Sequence, residues 1–246
     1  MAAGILQSIK EAHAAGKKLI ILVVDPDMLR IGNLVETLKV SVEIGVDYIL
    51  LGGSVVLEDV LEQCIQQIRE HCNIPIILFP GNQMQISNDA DAILLLSLIS
   101  GRNPDYLIGR HVEAAPRLFQ SKLEVIPTGY ILIDGGRYTA VNYITQTIPI
   151  PADKPEIAAC TALAGAYLGL KMFYLEAGSG ADKHVPVEMI SMIRKFVDLP
   201  ILVGGGIKRA EQAAAIFKAG ADAIVIGTAF EKDPELARAI AGCRDL

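Results

Sequence analysis

The sequence predicts a single (β/α)8 barrel spanning residues 1–246, and three observations carry that prediction. Eight short runs rich in Ile, Leu and Val recur along the chain. Amphipathic stretches of helical period separate most of them. The length of 246 residues sits close to the roughly 250 typical of one such barrel.

The runs are Leu19–Val24, Tyr48–Leu51, Ile76–Phe79, Ala92–Leu96, Tyr130–Ile133, Met172–Leu175, Ile201–Val203 and Ala223–Ile226. Each is continuously apolar, as a parallel strand covered on both faces requires. Between them, Leu34, Leu38, Val42 and Ile44 form one apolar helical stripe. Val60, Leu61, Ile65 and Ile68 form a second, and Ala213, Ala214, Ile216 and Phe217 a third. Gly45-Val46-Asp47 and Gly220-Ala221-Asp222 each place a helix-ending glycine just before a strand, and Asp89-Ala90-Asp91 is a weaker copy. Such turns belong to the N-terminal face of a barrel, where they serve stability rather than chemistry.

Two units break the rhythm. Only Pro80 to Asp91 separates the third and fourth runs, too little for a full crossover helix with its loops, so the third helix is expected to be shortened or replaced by extended chain. That opening would leave a groove able to take a long apolar ligand, although local unfolding or an oligomer contact would use it equally well. After the fifth run, Asp134 to Pro155 contains Gly135, Gly136, Pro149, Pro151 and Pro155, which reads as a long binding-face loop. Asp153 is the expected cap of the next helix, with Pro155 in its first turn.

Composition narrows the class further. Apolar residues make up 52% and charged residues 20% of the chain, and no apolar run reaches the ~18 residues of a membrane span. Met1-Ala2-Ala3-Gly4 lacks a signal-peptide pattern, so a cytoplasmic protein is expected. The net charge of -6, with no long Lys/Arg run, argues against nucleic acid. Cys64, Cys72, Cys160 and Cys243 show no metal or disulfide spacing and are expected to be reduced, small apolar side chains. His13, His71, His111 and His184 lie outside every strand-end motif.

The strongest signal for chemistry is three glycine-bearing strand ends. They are Glu176-Ala177-Gly178-Ser179-Gly180-Ala181, Gly204-Gly205-Gly206-Ile207-Lys208 and Gly227-Thr228-Ala229. Glycines let backbone N–H groups approach an anion, and the loops after strands seven and eight are the habitual phosphate site of these barrels. No nucleotide-binding glycine motif is present. On the neighbouring first two strand ends, Asp25 and Ser54 are hard oxygen donors suited to Mg²⁺, with Asp27 behind them, but the same residues also suit a turn and a helix N-cap. Glu176 could accept a substrate proton or stabilise developing positive charge, and Tyr174 shares its strand face. Tyr174 could equally fill the barrel, and Glu176 could pair with Lys208. A phosphate-binding isomerase or lyase, and a non-catalytic phosphometabolite-binding barrel, remain alternatives on these residues alone.

At these same residues the chain resembles the geranylgeranylglyceryl phosphate synthase family, in the branch found in many archaea and some bacteria. The likeness covers nearly the whole length and rests on Val24 to Asp27, Leu51 to Ser54, Leu78 to Gly81, Ser97 to Asn103, Ile126 to Gly136, Tyr174 to Ala181 and Val203 to Ile207. It implies a prenyltransferase that moves geranylgeranyl from its diphosphate to sn-glycerol 1-phosphate. By that resemblance Asp25 and Ser54 hold Mg²⁺. Tyr174, Leu175, Glu176, Ala177, Gly178, Ser179 and Gly180, with Gly204, Gly205, Gly227 and Thr228, surround glycerol 1-phosphate. Glu176 and Tyr174 serve catalysis, and the protein assembles as a homo-oligomer, a dimer or hexamer. The chain departs from the family's usual pattern at Met28, where a lysine is common, and at Thr228, where asparagine is. Arg30 is a candidate replacement cation. Phe79, Tyr106 and Tyr130 are candidates for closing the prenyl groove.

Overall fold

A computed structural model describes residues 4–26, 28–53, 60–82, 85–227 and 233–245, with only the backbone described at 28–33 and 245. Eight parallel strands close into one barrel in sequence order: β1 (Leu19–Val24), β2 (Tyr48–Leu51), β3 (Ile76–Leu78), β4 (Ala92–Leu98), β5 (Glu124–Leu132), β6 (Met172–Glu176), β7 (Ile201–Gly204) and β8 (Ala223–Ile226). Around them lie α1 (Ile5–Ala14), α2 (Met28–Glu43), α3 (Leu61–His71), α4 (Arg110–Gln120), α5 (Ala140–Thr145), α6 (Pro155–Tyr167), α7 (Val187–Phe196), α8 (Ala210–Lys218) and α9 (Pro234–Ala241). A wide π-turn, Asp105–Gly109, leads into α4.

Side-chain alternation divides the apolar residues into two layers. Leu19, Ile21, Leu50, Leu94, Met172 and Leu202 fill the barrel. Ile20, Leu22, Ile131, Phe173, Leu175 and Val203 face the surrounding helices. The bottom is stoppered by α1, whose Ile9 and Ala12 join the inner layer. Glu124, the first residue of β5, accepts hydrogen bonds from the amides of Ile5 (2.5 Å) and Leu6 (3.0 Å), the capping task that α1's own Gly4 cannot perform.

The aspartate echo is structural. Asp47 accepts from the Ile20 amide at 2.9 Å, Asp91 from Ile76 at 2.7 Å and Asp222 from Ile201 at 2.7 Å. Each carboxylate thus ties a strand entrance to the start of the preceding strand. Gly45 and Gly220 leave their helices with φ of 65° and 111°, the conformation expected at those ends.

Among the described residues from Phe79 to Asp91 there is no crossover helix; the chain there forms turns, bends and irregular segments. Several expectations need correction. Val42 is exposed, and buried Ser41 takes its place on the inner face of α2, donating to the Thr37 carbonyl at 2.7 Å. The long loop after β5 contains α5, started by a capping box of Thr139 and Asn142. Asp153 does not cap α6; Lys154 occupies that position and Pro155 opens the helix. Cys160 is exposed, whereas Cys64, Cys72 and Cys243 are buried. Among the described residues no helix is long and apolar enough to cross a membrane.

Candidate active site

The inward-facing positions of β6 climb from Met172 through Tyr174 to Glu176, so the strand delivers a phenol and then a carboxylate to the upper mouth of the barrel. There a cavity of about 450 Å³ opens. Asp25 and Val23 bound it on the β1 side, and Gly52 and Gly53 on the β2 side. Across it stand Glu176, Gly178, Ser179 and Gly180 from the β6 end, Gly205 and Gly206 from the β7 end, and Gly227 from β8. All three glycine-bearing strand ends therefore meet around one space, opposite Asp25.

Several of these glycines leave no space for a side chain, and two of them bear directly on the acids. Gly205 has φ of +82°, and a Cβ there would sit 2.5 Å from Glu176 Oε1 and 2.7 Å from the Gly178 amide nitrogen. A Cβ on Gly53 would collide with the Asp25 carboxylate.

Glu176 is buried and receives hydrogen bonds from the Gly178 amide, at 2.6 Å, and from the Tyr174 hydroxyl. Burial raises its carboxyl above the usual carboxylate range, and these two donors oppose the shift. Tyr174 and Tyr130 are both held well above the ordinary phenol range, first by burial and then by the Glu176 charge, so both remain protonated donors. Their rings are 5.4 Å apart at 73°, and Phe79 lies 5.5 Å from Tyr174 and 6.0 Å from Tyr130. The three rings form a floor.

That floor borders a second, apolar space of about 120 Å³. It runs beneath the missing crossover helix, between Ile86 and Ile93 on one side and Tyr106, Ala114 and Leu118 on the other. Phe79, Tyr130, Val141 and Gly53 line both spaces, so the groove continues directly from the polar cavity.

Not every expected site residue reaches the cavity. Leu175 and Ala177 point the other way and belong to the outer apolar layer, because β6 alternates faces. The Ala177 amide donates to the Gly204 carbonyl at 3.0 Å. Gly204 lies beneath Tyr174, where a Cβ would meet the phenol oxygen at 2.5 Å. Ser54, Thr228 and Asp27 lie outside the described residues, as do the side chains of Met28 and Arg30. Lys208 does not pair with Glu176; its ammonium donates to the Asp182 carbonyl at 3.2 Å. Arg137 and Lys208 both line the cavity, and sequence reasoning missed them as site residues. Arg137 follows the Gly135-Gly136 pair, which was the available signal.

For a metal, Asp25 is a hard oxygen donor lining the cavity, with its carboxylate in the space that the missing side chain of Gly53 leaves. That donor chemistry fits Mg²⁺ with a mostly aqueous shell. Among the described residues no group of three or more His, Cys, Asp or Glu side chains gathers into a closed metal cage.

A closed parallel barrel with a glycine-walled polar cavity, a buried carboxylate and a contiguous apolar groove fits the class of enzyme that joins a phosphorylated substrate to an apolar one. The sequence profile of the PcrB family matches residues 13–243, and the chain belongs to that family. It is 49% identical to a geranylgeranylglyceryl phosphate synthase of Spirosoma linguale, over 93% of this chain and 92% of that one. It is 45% identical to the Thermococcus kodakarensis protein of the same name, over 88% and 85%. The crystal structure of (S)-3-O-geranylgeranylglyceryl phosphate synthase from Thermoplasma acidophilum, in complex with substrate sn-glycerol-1-phosphate, superposes with a TM-score of 0.92 at 30% identity, covering 99% of this chain and all of that one.

Proposed function

We propose that this chain transfers a geranylgeranyl group from its diphosphate to the sn-3 hydroxyl of sn-glycerol 1-phosphate, forming the ether bond of an archaeal-type lipid precursor and releasing diphosphate. The observation that carries this reading is the union of two unlike spaces, a glycine-walled polar cavity and an apolar groove, at the Phe79–Tyr130–Tyr174 floor. A sugar-phosphate isomerase has no use for the groove.

In this arrangement the glycerol phosphate is gripped by the β6, β7 and β8 loops, with its phosphate on the backbone of Gly178–Gly180, Gly205 and Gly227. Thr228, which the family resemblance assigns to the same set, lies outside the described residues. The prenyl tail lies along the groove, which places the reactive allylic carbon over the aromatic floor. Glu176 faces the reacting centre from β6. Its elevated carboxyl is a better proton acceptor for the substrate hydroxyl than an ordinary glutamate, and its charge favours positive charge developing on the allylic carbon. Tyr174 orients that carboxylate through its hydroxyl. Asp25, with Ser54, would hold Mg²⁺, which supplies charge to neutralise the leaving diphosphate.

The large apolar side chains left on the surface support a homo-oligomer, a dimer or hexamer. Phe119 is 91% exposed, Tyr167 82% and Leu168 81%, which is an unusual load for a lone subunit. Four free thiols are consistent with the reducing cytoplasm.

Incubation with sn-glycerol 1-phosphate, geranylgeranyl diphosphate and Mg²⁺, followed by mass spectrometry, is expected to reveal the ether product. A folded protein that consumes neither substrate would contradict the assignment. Asp25→Ala is expected to keep glycerol 1-phosphate binding and lose Mg²⁺-dependent diphosphate release; full release by that variant would remove Asp25 from the metal site.

A further inference from the structure

Among the described residues, four charged side chains line the polar cavity: Asp25, Glu176, Arg137 and Lys208. The two acids leave the space unfavourable to the anionic groups it must receive. The two cations stand together in one sector. Arg137 comes from the loop after β5 and Lys208 from the loop after β7, and both reach the intervening β6 loop. The Arg137 guanidinium donates to the Gly180 carbonyl at 3.3 Å, and the Lys208 ammonium to the Asp182 carbonyl at 3.2 Å. Neither forms an ion pair among the described residues, so each keeps donors for an incoming anion.

Their loops are fixed in place. The Gly135 carbonyl accepts from the amides of Asp182 and Lys183, at 3.0 Å each, which laces the β5 loop to the β6 loop. Gly178 packs against the Thr139 side chain so closely that a Cβ there would lie 2.6 Å from its methyl group. Lys208 is set by its own amide, which donates to Gln212 Oε1 at 2.8 Å. Two tethered cations thus flank the Gly178–Gly180 turn on either side. They stand in the β5–β7 sector, across the barrel mouth from Asp25 on β1.

We infer that Arg137 and Lys208 are specificity-determining residues that clamp the phosphate of the glycerol phosphate acceptor, exchanging their carbonyl partners for phosphate oxygens, and that they do not serve the prenyl diphosphate. The inference rests on the proposed reaction. Arg137 offers the forked donor geometry suited to phosphate, and Lys208 adds a point charge. Because both are exposed, they also raise the capture rate of an anion at low salt.

The test is steady-state kinetics of the full-length protein, as wild type, Arg137→Met, Lys208→Met and the charge-keeping pair Arg137→Lys and Lys208→Arg. Each methionine variant is expected to raise KM for sn-glycerol 1-phosphate about tenfold, the scale of one charge-assisted hydrogen bond. KM for geranylgeranyl diphosphate and kcat are expected to stay within about twofold, and the charge-keeping variants to recover most of the loss. Direct titration with glycerol 1-phosphate should weaken in parallel, with a shallower dependence on salt. Unchanged acceptor KM in both methionine variants would overturn the inference, as would a rise confined to the prenyl diphosphate or a kcat loss with acceptor KM unmoved. Wild-type protein that makes no ether would instead defeat the underlying reaction, so the two failures are distinguishable.

Discussion

Glu176 is the residue on which geometry and chemistry converge. It is deeply buried, yet it is held by the Gly178 amide and the Tyr174 hydroxyl as a carboxylate would be. Burial nevertheless lifts its carboxyl above the ordinary value of 4.5, so the folded protein holds this proton more tightly than the unfolded chain does. The stability this group contributes is therefore fully present below about pH 4.5 and is lost as pH rises through the elevated folded value. Glu176→Gln cannot ionise. Its melting temperature relative to wild type is expected to climb as pH is raised across that window, read by thermal unfolding at a series of pH values. A pH-independent difference would mean the carboxyl is not perturbed as described. The same variant is expected to lose about 10²–10⁴-fold in kcat, the usual worth of a positioned acid or base. Gly205→Ala puts a methyl group against the Glu176 carboxylate at a left-handed backbone position, so it is expected to weaken glycerol 1-phosphate binding and lower the melting temperature together.

At the scale of elements, sequence and structure can be compared piece by piece. The strands were legible because each carries an uninterrupted apolar run, and the glycine ends because topology alone places them at one rim. β5 begins at Glu124, six residues before the apolar run at Tyr130 that marked it in the sequence, because Pro127, Thr128 and Gly129 interrupt its apolar pattern. Gly129 is there for packing: a Cβ would meet the Phe173 ring at 2.6 Å. The stopper helix α1 and the short α5 were not read. The cap of α1 is a residue 119 positions away, and α5 hides among loop-forming residues. Arg137 and Lys208 were not read as anion ligands, although each sits close to a glycine pair at a strand end, because exposed cations carry no periodic signal of their own. The repeated aspartates can be tested as joints. Asp222 accepts from Ile201, Arg194 and His13 while almost fully buried. Asp222→Ala leaves the Arg194 guanidinium without its carboxylate and is expected to cost about 3 kcal/mol or more in chemical denaturation, with the acceptor KM unchanged in the protein that remains folded. Glu124→Ala removes only the remote cap of α1 and is expected to cost about 1 kcal/mol.

At the scale of the whole molecule, one change to a regular barrel organises the rest. Omitting the third crossover helix leaves an apolar trench bounded by Ile86, Ile93, Tyr106 and Leu118, and the trench joins the glycine cavity at three aromatic rings. The most direct measurement is a crystal structure with sn-glycerol 1-phosphate and a non-reactive geranylgeranyl thiolodiphosphate bound together. The phosphate of the first is expected on Gly178–Gly180 and Gly205, and the tail of the second is expected to run past Phe79 and Tyr130 toward Leu118. A tail that leaves by another route, or a phosphate seated away from the three glycine turns, would contradict the assignment.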